Sequence, residues 1–237
     1  MVSEEQEFVG AGLRPAPGRG FSIHDFFYFR RGEDPAGGRR ARRLIRTIKL
    51  SNTSGHFSDA PPPETPAGTI DVKLIPGDPR HRAYSAGMTD DALYLVDTQL
   101  GTARVVFDFG RIARGGWPQL MRMTRDGDRL FVSMNLAGKV VMFDTTQPRR
   151  PRVLKAIDPG PNSGPHYIAL TRDEKRLVIS DYFLNEDEFG KVHAEGDHKI
   201  HVARVSSSGL SLDPCFEVDF NTAFATGPAR PHGVAIK

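Results

Sequence analysis

Residues 117–145, WPQLMRMTRDGDRLFVSMNLAGKVVMFDT, decide the fold of this chain because their pattern occurs at two further places. Residues 70–98, IDVKLIPGDPRHRAYSAGMTDDALYLVDT, align with them without a gap, 47 positions earlier. Residues 164–181, GPHYIALTRDEKRLVISD, align 47 positions later. One arginine falls at the same position of all three copies: Arg82, Arg129 and Arg176. The chain is therefore built from a repeated unit.

Each unit has the pattern of short strands and tight turns. An apolar segment such as LMRMT is followed by a charged turn, a second apolar segment RLFVS, a loop and a third segment KVVMFD. Strands of this length, bounded by Gly, Asp and Asn, are typical of hairpins. A period of about 40 to 50 residues with about four strands per unit is typical of β-propeller blades. We predict a single all-β domain over residues 1–237, with about four blades of a larger, seven-bladed ring.

Two segments depart from the repeat. Residues 184–198, LNEDEFGKVHAEGDH, lengthen the third unit by 13 residues, since Lys199 rather than residue 186 matches Lys139. Insertions of this kind form loops on one face of a repeat protein, which is often the binding face. Residues 51–68 are polar and Pro-rich and predict an exposed loop. The final residues, 231–237, predict a lone strand that would complete the first blade of a closed ring.

The composition excludes several classes of protein. With 38% hydrophobic and 26% charged residues in 237, the chain is an ordinary globular one. Its apolar runs are far shorter than the roughly 20 residues of a membrane-spanning helix, and its first residues lack the pattern of a signal peptide. We therefore expect a soluble, cytoplasmic protein without a membrane partner. The single cysteine, Cys215, excludes an internal disulfide and a multi-cysteine metal cage, and we expect it to be an ordinary strand residue.

A run of arginines and the absence of familiar motifs bear on further classes of function. The run Arg39 to Arg46 borders an apolar strand and has no interleaved aromatics, so it predicts a hairpin rim and no nucleic-acid partner. The sequence has no phosphate-binding glycine loop, no Gly-x-Ser-x-Gly elbow and no His-Glu-x-x-His. Nothing in the motifs favours a hydrolase or a nucleotide enzyme.

Two histidines occupy equivalent positions of different repeats. His166 precedes YIAL and His232 precedes GVAI, and the matching residue of the preceding unit is Gln119. The first strand of each blade lines the central channel of a propeller, so these side chains are expected to converge at its mouth. Imidazoles without a thiolate suit copper, zinc or iron. We predict His166 and His232 as metal ligands and Gln119 as a channel-lining residue.

The insertion supplies further candidates. His193, His198 and His201 are potential ligands, although His201 alternates with Ile200 and Val202 and is expected to be a half-exposed strand residue. Six acidic residues of the same region could orient ligand histidines or form a solvated loop: Asp181, Glu186, Asp187, Glu188, Glu195 and Asp197. The histidines could equally be exposed or hydrogen-bonded side chains without a metal.

Several segments, taken in order, resemble the selenium-binding protein family, which includes methanethiol oxidase. They are GWPQLMRMTRDGDRLFVSMNLAGKVVMFDTTQPRRPRVL, SGPHYIALTRDEKRLVISDYF and GLSLDPCFEVDFNTAFATGPARPHG. The resemblance extends over nearly the whole chain but only over the carboxy-terminal half of the family's ring.

The resemblance implies a copper-dependent oxidation of methanethiol, a small thiol, by oxygen and water to formaldehyde, hydrogen sulfide and hydrogen peroxide. It assigns His232, which follows Gly227–Pro228–Ala229, to the metal site. It also places the family's other ligands and its selenium-linked cysteine upstream of the matched segment, and Cys215 does not match that cysteine. Self-association or a second chain would then complete the ring.

Two alternatives remain open from the sequence. One is a non-catalytic propeller that serves as an interaction platform or a selenium carrier and has lost the upstream ligands. The other is a metal-dependent lactonase on a propeller, which predicts carboxylate and Asn ligands at the channel mouth in place of Gln119, His166 and His232.

Overall fold

The computed structural model describes residues 8–15, 21–31, 42–50, 68–186 and 192–236. In this part the chain is all β, apart from one 3-10 turn at Phe109–Arg111. The chain forms two compact units, Met1–Asp108 (unit 1) and Phe109–Lys237 (unit 2), where the sequence predicted one domain.

Unit 1 has two antiparallel sheets among its described residues. The strands are β1 (Phe8–Pro15), β2 (Phe21–Arg31), β3 (Arg42–Lys49), β4 (Thr69–Leu74), β5 (Arg82–Gly87), β6 (Ala92–Asp97) and β7 (Thr102–Asp108). β1 to β3 form a three-stranded sheet, and β4 to β7 form a four-stranded sheet in which each strand pairs with the next. A four-stranded antiparallel meander of this kind is one propeller blade.

Unit 2 has two four-stranded sheets and a hairpin. The strands are β8 (Pro118–Met123), β9 (Arg129–Met134), β10 (Lys139–Asp144), β11 (Arg152–Ile157), β12 (Pro165–Leu170), β13 (Arg176–Asp181), β14 (Phe183–Glu186), β15 (Val192–Glu195), β16 (Lys199–Ser206) and β17 (Gly209–Asp219). β8 to β11 form one blade, and β12, β13, β16 and β17 form the next. β14 and β15 pair with each other, so the insertion expected as a loop contains a β-hairpin.

The three four-stranded sheets confirm the prediction of a partial β-propeller, and their registers follow the sequence repeat. Arg82 lies opposite Asp97, and Arg129 lies opposite Asp144. In the third blade Arg176 lies opposite Arg204. Arg204 is the residue that corresponds to Asp144 once the 13-residue insertion is taken into account.

The turn between the first and second strands is built in the same way in both blades of unit 2. The Thr124 hydroxyl donates to Asp126 Oδ1 at 2.6 Å, and the Thr171 hydroxyl donates to Asp173 Oδ1 at 2.7 Å. Each carboxylate also accepts the backbone N–H two residues further on, at 2.9 and 3.1 Å. Short polar side chains that bond to their own turn explain why the Thr-Arg-Asp sequence recurs at this point.

The core of unit 2 lies between its two blades. Its buried residues come from both sheets: Phe131, Val140, Met142, Ile157, Ile168, Leu177, Ile179, Ala203 and Leu210. The first strands of the two blades, β8 and β12, lie against each other, and so do the last strands, β11 and β17. One blade cannot bury both faces of its sheet alone, so the stacked pair supplies the apolar burial that stabilises the unit.

Unit 1 has its own core and a buried carboxyl group. The core is formed by Ile48, Leu50, Ala83, Ala92, Tyr94 and Val96. The Asp90 side chain lies in the turn before β6, where it accepts a short hydrogen bond from the Tyr94 hydroxyl and another from the Ala92 N–H at 3.2 Å. Burial raises the pKa of Asp90 to about 7, against an ordinary value of 3.8. The neighbouring Asp91 carboxylate acts in the same direction, while the two hydrogen bonds oppose it.

Unit 1 is therefore expected to lose stability as the pH rises from about 4 to about 7. In that interval the folded state keeps a proton on Asp90 that the unfolded state has released. Asn at this position has no proton to lose, so Asp90→Asn should be more stable than the wild type at pH 8 by roughly 2–4 kcal/mol and should show little gain at pH 4. Urea unfolding of both proteins at the two pH values measures the difference. An equal gap at pH 4 and pH 8 would contradict this account.

Three segments singled out from the sequence lie at the end of the chain or partly outside the described residues. Residues 231–236 are described but form no strand, which corrects the expectation of a lone final strand, since a strand needs a ladder partner. The Pro-rich stretch 51–67, Arg39 and Arg40 lie outside the described residues, and the remaining arginines of that run belong to β3. In the described part of the chain, no helix has the length and apolarity needed to cross a membrane.

Candidate metal centre

The first element of the site is a contact between equivalent residues of neighbouring blades. Gln119 is the second residue of β8, and His166 is the second residue of β12. His166 Nδ1 lies 2.6 Å from Gln119 Oε1, and Gln119 is buried while the His166 ring is half-buried. The structure thus brings together two side chains that the 47-residue repeat placed at the same blade position.

This contact determines which nitrogen of His166 is available for a ligand. An amide oxygen only accepts hydrogen bonds, so Nδ1 carries the proton and donates to Gln119. The lone pair of the neutral ring then lies on Nε2. Metal-bound histidines usually have this arrangement, with one ring nitrogen fixed by an acceptor and the other on the metal.

His232 completes an aromatic group with His166. The two imidazole rings are nearly parallel, with 12° between their planes and 5.0 Å between their centroids. The Tyr182 ring lies 4.3 Å from the His232 ring and 5.7 Å from the His166 ring. Sequence reasoning missed Tyr182, although its position directly after β13 at the same end of the sheet as His166 could have indicated it.

In each blade of unit 2, a buried serine hydroxyl donates a hydrogen bond to the backbone oxygen of a histidine from a later segment of the chain. The Ser133 hydroxyl donates to the backbone oxygen of His166 at 2.8 Å. The equivalent residue 47 positions later, Ser180, donates to the backbone oxygen of His232 at 3.5 Å. Both serines are fully buried in the second strand of their blade, so the sheet fixes the backbone at each histidine.

The surroundings of His166 keep its ring neutral. Burial, and then the nearby His232 ring, lower the pKa of His166 to about 4 from an ordinary value of 6.5. At neutral pH the imidazole is therefore deprotonated, which is the form that binds metals.

The two histidines predicted from the insertion are not brought to this pair. His198 is buried next to β16, where its Nδ1 lies 3.1 Å from Asn221 Oδ1. His193 lies in β15 opposite Asn185, and its side chain is outside the described part of the structure. Cys215 lies in β17, as expected for a strand residue, and its side chain is exposed. Within the described residues, His166 and His232 do not belong to a group of three potential ligands.

A second cluster lies elsewhere in the same blade. Asp181, Asp197 and His201 place one ligand atom each within 4.8 Å of one another. The expectation that His201 is half-exposed is wrong, since its side chain is only 7% exposed. His201 lies opposite Ile179 on an inner strand of the sheet, on the same face as Ala203, and both of these residues belong to the core between the two blades, so His201 faces that core and not solvent.

The charges of this second cluster are strongly coupled. Burial raises the pKa of Asp181. Burial acts in the same way on Asp197, but hydrogen bonds, first from His201, lower the pKa of Asp197 below its ordinary value. Burial would lower the pKa of His201, but the two carboxylates outweigh it and raise that pKa to about 9.

Comparisons with known proteins show the fold. No protein-family model matches the chain, and no curated protein matches it. A hypothetical selenium-binding protein from Sulfolobus tokodaii has a similar structure, with a TM-score of 0.62 and 14% identity over 84% of this chain and 47% of that one. A protein from Bacteroides uniformis assigned as a 6-phosphogluconolactonase matches with a TM-score of 0.54 and 13% identity, over 86% of this chain and 52% of that one. The chain thus spans about half the length of both.

Proposed function

We propose that this chain belongs to a copper-dependent thiol oxidase of the selenium-binding type. The reaction is the oxidation of methanethiol by oxygen and water to formaldehyde, hydrogen sulfide and hydrogen peroxide, in which one molecule of each reactant gives one of each product. The observation that carries the proposal is the contact of His166 with Gln119, at the equivalent position of the preceding blade, and with the ring of His232. The likeness to the Sulfolobus protein supports the type of propeller, and the substrate rests on sequence resemblance.

The donor atoms of this group fit copper. Two imidazoles, one of them held neutral, offer nitrogen ligands, and no thiolate lies among the candidate ligands. The ring centroids lie 5.0 Å apart, but an imidazole nitrogen binds a metal in the plane of its ring and the two planes are nearly parallel, so one ring would have to rotate for both nitrogens to bind the same ion. Copper, when bound, would supply the redox chemistry that no side chain of the group can supply.

The residues of the chain would bind the ion, orient its ligands and shield the site from water. Gln119 holds the proton on His166 Nδ1 and thereby keeps Nε2 directed at the ion. Ser133 fixes the backbone of His166 so that the ring does not move when the ion is exchanged. Tyr182 covers one side of His232 and would limit water and provide an apolar contact for a small thiol.

Two imidazoles are too few for a stable copper site, so further ligands are expected from outside the described residues. His193, whose side chain lies outside the described residues, remains a proposed ligand, whereas His198 would have to leave its contact with Asn221 to become one. A second chain that completes the ring, or self-association, would supply them otherwise. Because the chain spans about half of its structural neighbours, the activity is proposed for the completed ring.

The first experiment is the metal content of the purified chain after dialysis, measured by mass spectrometry, together with hydrogen peroxide release on addition of methanethiol. Near-stoichiometric copper with peroxide release supports the proposal. Bound copper without peroxide release would favour a protein that binds the metal but does not oxidise methanethiol. If the chain keeps no copper and captures a partner protein without any metal, the non-catalytic platform is the better interpretation.

A further inference from the structure

We propose that Asp181, Asp197 and His201 form a second cation site, for a divalent transition metal between manganese and zinc, that is independent of the His166–His232 pair. The site lies at the end of β13 and the start of β16, where the insertion returns to the blade. It requires neither copper nor a thiol, so it stands apart from the proposed function.

The fold brings the three residues together from distant points of the sequence. Ile179 pairs with His201 across β13 and β16, so Asp181, two residues further along β13, is a diagonal neighbour of His201 on the same face. Asp197 comes from the end of the insertion, just after Gly196, whose φ of +98° is one that L side chains rarely adopt. Asp197 Oδ1 also accepts the backbone N–H of Lys199 at 3.0 Å, which fixes the carboxylate at the start of β16.

The distances suit a metal ion better than a shared proton. His201 Nε2 lies 3.3 Å from Asp181 Oδ2 and 3.4 Å from Asp197 Oδ2. Charge-assisted hydrogen bonds are shorter, about 2.7–2.9 Å, and an N–H shared between two carboxylates makes two weaker bonds. Ligands about 2.0–2.1 Å from a tetrahedral ion are separated by about 3.3–3.4 Å, which is the separation found at this nitrogen.

The burial of Asp181 is the second observation that indicates a ligand. Its side chain is 0% exposed, and its nearest described donor is His201 Nε2, which lies 3.3 Å from Asp181 Oδ2 and is shared with Asp197. Among the described residues neither oxygen of Asp181 has a hydrogen bond of ordinary geometry. A buried carboxylate held this loosely costs free energy that a bound cation would offset.

The donor set indicates the class of ion. Two carboxylate oxygens and one imidazole nitrogen, without a thiolate, favour Mn²⁺ to Zn²⁺ over Cu⁺, and three ligands are too few for Ca²⁺. Three protein ligands also leave a fourth position open, as in catalytic zinc sites.

The test is Zn²⁺ binding to the chelator-treated full chain by calorimetry, with Co²⁺ absorption as a probe of four-coordinate geometry. We expect one Zn²⁺ per chain and the intense visible bands of four-coordinate Co²⁺. Asp197→Asn, at the most accessible of the three positions, should weaken Zn²⁺ binding at least about tenfold, and His201→Gln should abolish the Co²⁺ bands. Asp213→Asn on β17, where the carboxylate pairs with Arg204, is the matched control and should bind like the wild type.

Two results would overturn this inference. One is a folded wild-type chain that binds no Zn²⁺ or Co²⁺, which would leave the cluster as an ion pair only. The other is Zn²⁺ binding that Asp197→Asn and His201→Gln do not weaken. His166→Ala separates the sites, because it should leave Zn²⁺ binding intact even if copper binding fails.

Discussion

Replacing His166 with Ala is expected to remove the copper held by the His166–His232 pair and to lower the copper affinity of that site by more than about 100-fold. His166 offers a half-buried imidazole that is held neutral. Loss of an orienting partner alone typically weakens metal binding about 10–100-fold, so loss of a ligand should exceed that range. His232→Ala should have the same effect, and Gln119→Leu a smaller one, because Gln119 acts through His166. Mass spectrometry of the dialysed variants measures the copper content.

The control for this experiment is His81→Ala, since His81 is exposed and belongs to unit 1. Circular dichroism must show that each variant keeps its β structure. Copper retained by His166→Ala and His232→Ala at the wild-type level would remove the basis for the proposed site. Copper lost from the control as well would indicate that binding is unspecific.

Phe131→Ala is expected to destabilise unit 2 by about 3–5 kcal/mol. The Phe131 side chain is fully buried in the core between the two blades, so truncation leaves a cavity lined by residues of both sheets. Phe131→Leu keeps most of the volume and should cost clearly less. Urea unfolding followed by the fluorescence of Trp117, the single tryptophan of the chain and a residue of unit 2, measures the change.

Phe216 offers a matched control for this truncation. It lies in β17 and is 44% exposed, so Phe216→Ala should change the free energy of unfolding by less than about 0.5 kcal/mol. If Phe131→Ala were no more harmful than Phe216→Ala, the two blades would not share the core described above.

The repeat made most of the fold predictable. The repeat predicted about four blades, and three four-stranded sheets occur among the described residues. These features follow from the 47-residue period because each blade repeats the same strands and turns. The final segment was harder, since whether residues 231–236 form a strand depends on a partner ladder and not on their own sequence.

Only those site residues that belong to the 47-residue repeat could be predicted from the sequence. Gln119 and His166 could be paired because their positions are equivalent in consecutive blades. The Asp181–Asp197–His201 cluster could not be found in this way, because Asp197 belongs to the insertion and its position depends on how that segment folds back. The burial of His201 was also missed, since alternation along one strand does not reveal which face of the sheet packs against the neighbouring blade.

The first strands of the two blades of unit 2 carry different kinds of residue at their two ends. The Thr-Arg-Asp turns after β8 and β12 close the hairpins, whereas Gln119 and His166 stand at the beginnings of those strands. Mutations at the beginnings can therefore change what the protein binds without disturbing the hairpins. A substitution at this one position changes the side chain that a blade offers to a ligand and leaves the framework of the blade unaltered. Gln119 and His166 are two such alternatives at equivalent positions.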